Sequence, residues 1–534
     1  MSEPDPPHSR DEPSATGPTP ADGEASSARL ETILDEIETV VEPVTEAVSM
    51  SPAVGIAVAG GPMITLPEEE PAAGAAGDSV RSGLTQAGPV AIAGLVVNGA
   101  GALVVIAVAR LVSSQSYGEI AQLLGLFFIL SMPGSAVLVG VVRRVTALQN
   151  AGRAKLVRPW IRKVHRYGLI ALAIEIVVVL ILQGWIARQL SLANSEGVVL
   201  ILVAAGIWIL LCVDRGLLQA HRGYRALAGN LLVEGGVRTF FVVLLVVAHL
   251  GVAGYALGVF LGEVVATVHA HWLASKTWSD GSAVTAPPHG YDAKADSSLV
   301  RRRLLADVSA AFVGLALLGL LQNVDVILLG RLNHHNVGPY AAISVASKAL
   351  VFGALALGAY LLPEATIRWN EGGHAIRQLG VTLIFLAVPA ALLLAISVFV
   401  PRWFLTLVFS AKLSSAAPAF APLVLAMVFL SFSVLVTNYL FGIGSRWIVF
   451  LLAGGSVLAV ILIALADGGK VATARADLVA QGVLAVGMGI AFIAIHHKHR
   501  DPDWTAGLRR RAGSGRSADP GMGRSDNGTG PGDH

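Results

Sequence analysis

Ionisable side chains set inside long apolar runs of this sequence include Glu175, Glu234, Arg238, Glu263, Asp325 and Lys348. A charge at the centre of a membrane-spanning helix costs about 2.5–3.5 kcal/mol on insertion scales, so each needs a partner, a water-filled cavity or a route to the interface. Asp325 and Lys348 belong to the stretch from Leu320 to Pro363, LLQNVDVILLGRLNHHNVGPYAAISVASKALVFGALALGAYLLP, which reads as two spanning helices joined by a polar hairpin with Arg331 at its edge. Lys348 lies about ten residues into the second run, roughly 15 Å below its outer boundary, too deep for its stem to reach head groups easily. Ser344, one turn earlier, shares its face. Asp325 is about six residues, roughly 9 Å, from the outer end of the first run, with Gln322 on its face. Glu234 and Arg238 are spaced to pair along one helix. Glu175 and Glu263 have no neighbouring cation in sequence, so they stay neutral or meet Arg238 or another cation across the bundle. Arg110 and Arg331, at outer helix ends, either anchor at head-group depth or reach a ligand.

Such a set serves one of two chemistries. A lining of Arg and Lys suits an anion such as a diphosphate, which Arg binds bidentately and Lys meets as a point charge. Carboxylates left unpaired suit proton or cation coupling. The deepest basic residue, Lys348, favours the anion. The sequence has no G-x-x-x-x-G-K-[ST] phosphate loop, no H-E-x-x-H metal pair and no G-x-S-x-G elbow, so it points to no enzyme, cofactor or bound metal, and nothing in it points to nucleic acid. The outer connections are short, and their Glu119, Glu196, Asp467 and Asp477 read as interfacial residues, which argues against a membrane transferase or polymerase. The single cysteine, Cys212, reads as a small core residue and excludes a disulfide framework.

The elements that must position these groups are membrane helices. Apolar residues make up 54% of the chain and charged ones 14%, where soluble domains carry about a quarter charged, and the mean hydropathy is +0.67. Runs long enough to span about 30 Å of hydrocarbon occur at 89–111, 119–142, 166–187, 197–218, 229–249, 251–273, 305–330, 338–363, 376–400, 417–441, 447–466 and 475–496. The expectation is therefore an all-α polytopic protein of about twelve spans in two parallel six-helix halves, at 86–273 and 305–497. A linker over 274–304 joins them. Residues 1–85 read as an acidic disordered tail without signal-peptide features, and 498–534 as a second disordered tail. Leu30, Ile33, Leu34, Ile37, Val41 and Val44 form one apolar stripe, which predicts an amphipathic helix over 29–46.

Lys and Arg concentrate in alternate connections: Arg143, Arg144, Arg153, Lys155, Arg158, Arg162, Lys163 and Arg166 in the second; Arg215, Arg222 and Arg225 in the fourth; Lys276, Lys294 and Arg301 to Arg303 in the sixth. These belong in the cytoplasm, as do both termini. The halves also repeat. An apolar run, Arg-Leu, a polar hairpin, Tyr and a second apolar run recur, aligning Arg110 with Arg331 and Tyr117 with Tyr340. Six spans separate the copies, so both halves enter the membrane from one side, with a cavity between them.

The hairpins NGAGALVVIAVARLVSSQSYGEIAQLL and NVDVILLGRLNHHNVGPYAAISVASKAL, with their Ala109-Arg110-Leu111, Tyr117-Gly118, Asn323, Asp325, Gly330-Arg331-Leu332 and Tyr340-Ala341-Ala342 pieces, resemble the polysaccharide-exporter branch of the MATE-like flippases over residues 85–497. That resemblance implies alternating access about a hydrated cationic cavity in the bacterial plasma membrane, moving an undecaprenyl-diphosphate-linked oligosaccharide or related envelope precursor to the outer leaflet. On that reading the expected substrate-binding set is Lys348 and Arg331 on the diphosphate, with Arg110, Arg238 and Asn323 contributing and Asp325 orienting or neutralising a cation. The partners would be the lipid-linked anionic sugar, membrane lipid, and glycosyltransferases or a polymerase of the same pathway. A cation-coupled small-molecule exporter of the same fold, using Asp325, Glu263, Glu234 and Glu175, is the alternative reading. A scaffold that recruits synthesis enzymes through its tails is the third.

Overall fold

A computed structural model describes residues 76–150, 152–192, 195–277, 299–370 and 376–499. The expected helix at 29–46, most of the acidic tail, the middle of the linker and the C-terminal tail lie outside them. The described residues contain α-helices and two short 3-10 turns, and no β-strand. In the first half these are α1 (Ala76–Leu111), α2 (Ser114–Ser131), α3 (Pro133–Asn150), α4 (Val157–Gln189), α5 (Glu196–Ala220), α6 (Tyr224–Val247) and α7 (Gly251–Thr277). In the second they are α8 (Leu299–Leu332), α9 (His334–Asn370), α10 (Ile376–Phe399), α11 (Pro401–Val408), α12 (Ala417–Gly442), α13 (Ile448–Ala464) and α14 (Lys470–His499).

Eleven segments of these helices are long and apolar enough to span a membrane. The twelfth expected span is α13, whose 17 residues reach about 25 Å at 1.5 Å per residue, the short end of the spanning range. The expected span at 119–142 is two helices, α2 and α3, that meet at Met132–Pro133. Proline at the first position of α3 brings a fixed φ and no N–H, so it starts a helix more readily than it continues one. α1 and α8 also start earlier than expected, inside the predicted tail and linker. The connection after α10 is not a bare loop: α11 and a 3-10 turn over Ala411–Ala416 occupy it.

The two halves pack by one scheme. In the first, α1 lies on α6, α6 on α7, α7 on α5, α5 on α3, and α4 on α5; in the second, α8 lies on α13, α13 on α14, α14 on α12, α12 on α9, and α10 on α12. This is the internal repeat, with α2 and α3 together standing for α9. Only 6% of the apolar stretch of α4 is buried in the protein, against 78% for α5. α4 is therefore a peripheral, lipid-facing helix and α5 a central one.

Contact between the halves runs through α2 on α8 and α9, and α3 on α8. Lipid tails are as apolar as leucine, so close backbone approach must do much of the work here. Small residues permit it: a Cβ added at Gly125 would meet Asn323 at 3.3 Å, and one at Gly319 would meet Met132 Sδ at 3.0 Å. At the end carrying the 112–113 and 333 hairpins the halves are pressed together. Gly338 lies against the Ser114 backbone, Tyr117 meets Phe409 at 6.5 Å between ring centroids, and Lys412 donates to the carbonyls of Arg110, at 3.3 Å, and Val112. Toward the opposite, basic end the scheme changes, with α3 on α5 and α8 while α9 lies on α12.

Candidate functional site

Two buried polar clusters hold most of the intramembrane ionisable groups. The first bridges α8, α9 and α14. Ser344 and Lys348, one turn apart on α9, face Asn323 and Asp325 on α8: Lys348 Nζ donates to Asn323 Oδ1 at 3.2 Å and stands 3.8 Å from Asp325 Oδ1, and Ser344 Oγ donates to Asp325 Oδ2 at 3.2 Å. From α14, Gln481 Nε2 donates to Asp477 Oδ1 at 3.1 Å and to the Leu321 carbonyl at 3.2 Å. Asp477 lies within electrostatic reach of both Asp325 and Lys348. Two fully buried carboxyl groups thus share one lysine. Asp477 Oδ2, Gln481 Oε1 and the Thr473 hydroxyl make no hydrogen bond among the described residues. Asn323 also packs against Gly125 of α2, so one member of this cluster touches the first half.

The second cluster lies within the first half. Arg215 on α5 donates to Asn230 Oδ1 at 2.7 Å and to Glu234 Oε2 at 2.5 Å, both on α6. Arg238, one turn beyond Glu234, donates to Glu234 Oε1 at 2.8 Å and to Glu263 Oε1 of α7 at 3.1 Å. Gly262 makes this last contact possible, since a Cβ there would come within 2.7 Å of Arg238 Cβ and hold α7 off. Asn230 also donates to the Ala266 carbonyl at 2.8 Å, and the Arg215 guanidinium sits 5.3 Å from the centre of the Trp208 ring. Two guanidinium groups face two carboxyl groups, all buried, so this cluster balances itself.

The structure therefore brings Lys348, Asp325 and Asn323 together, and separately Arg238, Glu234 and Glu263. It does not bring Arg331, Arg110 or Glu175 to either group. Arg331 is exposed at the end of α8. Arg110, also exposed, donates to the carbonyls of Leu407 and of Val408, at 3.3 Å for the latter, and so ties the outer end of α1 to α11. Glu175 is half-buried on α4, with its carboxylate in the notch left by Gly206 of α5.

Three placements differ from the sequence reading. Arg215, counted among the basic residues of a connection, is 3% exposed inside α5. Asp477 and Glu119, read as interfacial, are 0% and 7% exposed. Counting charges at the edges of apolar runs assigns them to loops; helices that continue one or two turns further draw them inside. Gln481 one turn after Asp477, and Asn230 one turn before Glu234, were the available signals, because paired polar residues at that spacing mark one face.

No protein-family model matches the sequence, and no curated protein matches it. Among solved structures the chain is similar to an inward-facing multidrug resistance MATE family transporter of the MOP superfamily, with TM-score 0.53 and 16% identity over 74% of this chain and 99% of that one. It is similar to a MOP superfamily transporter from Pyrococcus furiosus, with TM-score 0.52 and 14% identity over 77% and 93%. It is also similar to the lipid II flippase MurJ in an inward closed conformation, with TM-score 0.57 and 12% identity over 75% and 86%. What these share with one another and with this chain is architecture rather than branch or cargo: the protein is an all-α, multi-pass membrane protein with a MATE-like fold.

Proposed function

We propose that the protein is an alternating-access transporter of the plasma membrane that exports a small molecule against the inward movement of a cation. The observation that carries this is the cluster around Asp325: two buried carboxyl groups and one lysine inside the second half, with the neighbouring Asn323 touching the first. A carboxylate in excess, in a site of low dielectric, needs a proton or a metal cation to neutralise it. If taking up or losing that cation favours a different packing of α8 against α2, the two events are coupled. Lys348 is held by Asn323 and Asp325, which removes the main argument for an anion at that position. With the basic connections in the cytoplasm, the hairpin end is external. The conformation described is closed at that end.

A second reading, a flippase for an undecaprenyl-diphosphate-linked oligosaccharide, is favoured by one asymmetry. α2 packs closely on α8, whereas its counterpart under the repeat, α9 with α1, does not form a comparable pair, and α1 leans on α6. A flank of that kind suits a cargo whose lipid tail stays in the bilayer. Arg110 and Arg331 would then meet the head group, and pathway glycosyltransferases or a polymerase would be the partners.

Purified protein in vesicles with an imposed proton or sodium gradient separates the readings. Gradient-driven movement of a cationic dye, lost in Asp325→Asn and Asp477→Asn, is expected. Movement of a fluorescent lipid-linked sugar without dye movement transfers the assignment to the flippase, and movement of neither sinks both.

A further inference from the structure

A third cluster of titratable groups, apart from both polar clusters, lies at the basic end of the first half. His165 of α4, Asp214 of α5 and His271 of α7 converge there: His165 Nε2 is 3.0 Å from Asp214 Oδ1, and His271 Nδ1 is 3.4 Å from Asp214 Oδ2. One donor atom from each residue can be chosen so that all lie within 4.8 Å of one another. Asp214 is 1% exposed, His165 16% and His271 52%. The apolar residues Ile161, Val213, Leu217 and Ala274 pack together around the same turns.

Hydrogen bonding fixes what His165 presents. Its Nδ1 lies 3.1 Å from the Ile161 carbonyl, which only accepts, so Nδ1 carries the hydrogen. In the neutral ring Nε2 then holds a lone pair, and it points at a carboxylate oxygen. His165 Nε2 and Asp214 Oδ1 have each other, at 3.0 Å, as their near polar neighbour. A cation must lie between them, either the proton of an imidazolium or a metal ion, and the second imidazole on the same carboxylate favours the metal. A ring nitrogen that donates to a backbone carbonyl while the other faces outward is also the usual arrangement of a metal-binding histidine.

We propose that His165, Asp214 and His271 form a binding site for a divalent transition-metal ion of the zinc type. Two imidazoles and one carboxylate are the donor set such ions take. Metal–ligand bonds of 2.0–2.2 Å in a tetrahedral site put donors about 3.3 Å apart; the rings approach different oxygens of the Asp214 carboxylate at 3.0 and 3.4 Å, so binding an ion needs only a small closure of the three side chains from their 4.8 Å span. A metal also accounts for both rings at once. Their centroids are only 5.2 Å apart, edge to face, where two imidazolium ions would repel while two neutral rings share one ion. The exposed side of His271 leaves room for water as a fourth ligand. The ion would tie the basic end of α4, a helix whose main packing partner is α5, to α5 and α7. No sequence motif announces the site, because its ligands come from three helices.

The test uses the full chain in detergent, with His496, His497 and His499 changed to Gln to remove a competing histidine run. Titration with Zn2+ and with Co2+ should show one equivalent bound per chain, with visible d–d absorption for Co2+ and a raised melting temperature. His165→Gln, Asp214→Asn and His271→Gln should each weaken Zn2+ binding by more than about 100-fold and abolish the rise in melting temperature. The absence of stoichiometric binding overturns the proposal and leaves a shared proton as the bridge; binding that survives Asp214→Asn at full affinity also overturns it. Should Asp214→Asn fail to fold, the half-exposed His271 decides, since wild-type affinity in His271→Gln is equally incompatible with the site.

Discussion

Lys348 Nζ gives its hydrogen bond to Asn323, at 3.2 Å, and stands farther, 3.8 Å, from Asp325. The amide thus holds the ammonium group beside a carboxylate without a tight ion pair, and the carboxylate is steadied by Ser344. Removing one member of a buried pair leaves an uncompensated charge and costs about 3–5 kcal/mol. Lys348→Met, which leaves Asp325 and Asp477 facing each other, should destabilise by that amount. Lys348→Met with Asp325→Asn should recover part of the loss. Melting of the single and double variants in detergent gives the coupling, and additive effects would refute a direct interaction.

Glu234 and Glu263 contribute unequally. Glu234 accepts from both Arg215 and Arg238, whereas Glu263 accepts from Arg238 alone. Glu234→Gln should therefore cost about 3–5 kcal/mol. Glu263→Gln, losing one charged hydrogen bond, should cost about 1.5–3 kcal/mol. Unfolding midpoints in one detergent check the order, and a larger loss for Glu263→Gln would contradict the network described.

Gly338 lies directly against the Ser114 backbone of the other half. A Cβ there would collide with the Ser114 carbonyl, so Gly338→Val should push the two hairpins apart and favour the state open at that end. Cys212 is buried and the chain has no other cysteine, so Ser114→Cys provides a clean labelling site. If the clash is worth about 1.4 kcal/mol, adding Gly338→Val should raise the labelled population about tenfold. Unchanged labelling would mean that the hairpins separate by some other route.

Arg110 and Lys412 act on the same contact more weakly. Both donate across the halves to backbone carbonyls at an exposed edge. Arg110→Ala and Lys412→Ala should each cost about 1 kcal/mol or less once water competes for the carbonyls. Both should raise Ser114→Cys labelling less than Gly338→Val does, and an Arg110→Ala variant that abolishes transport without changing labelling would instead point to a cargo contact.

The membrane fold was legible in the amino-acid order because each span needs its own length of apolar residues, whatever its neighbours. The repeat of Arg110 and Tyr117 in Arg331 and Tyr340 likewise announced two halves, and both tyrosines are buried beside their hairpins. The spacing of Glu234 and Arg238 was enough to foresee their contact, since four residues on a helix return to one face. Tertiary structure alone decided which distant groups meet. Arg215 with Glu234, Asp477 with the Asp325 cluster, and His165 with Asp214 and His271 each join different helices, and no spacing along the chain encodes such a meeting. It follows instead from where small residues such as Gly125, Gly206 and Gly262 let two helices come close. The sign of a buried site, whether it suits an anion or a cation, is the sum of charges that only this packing brings together.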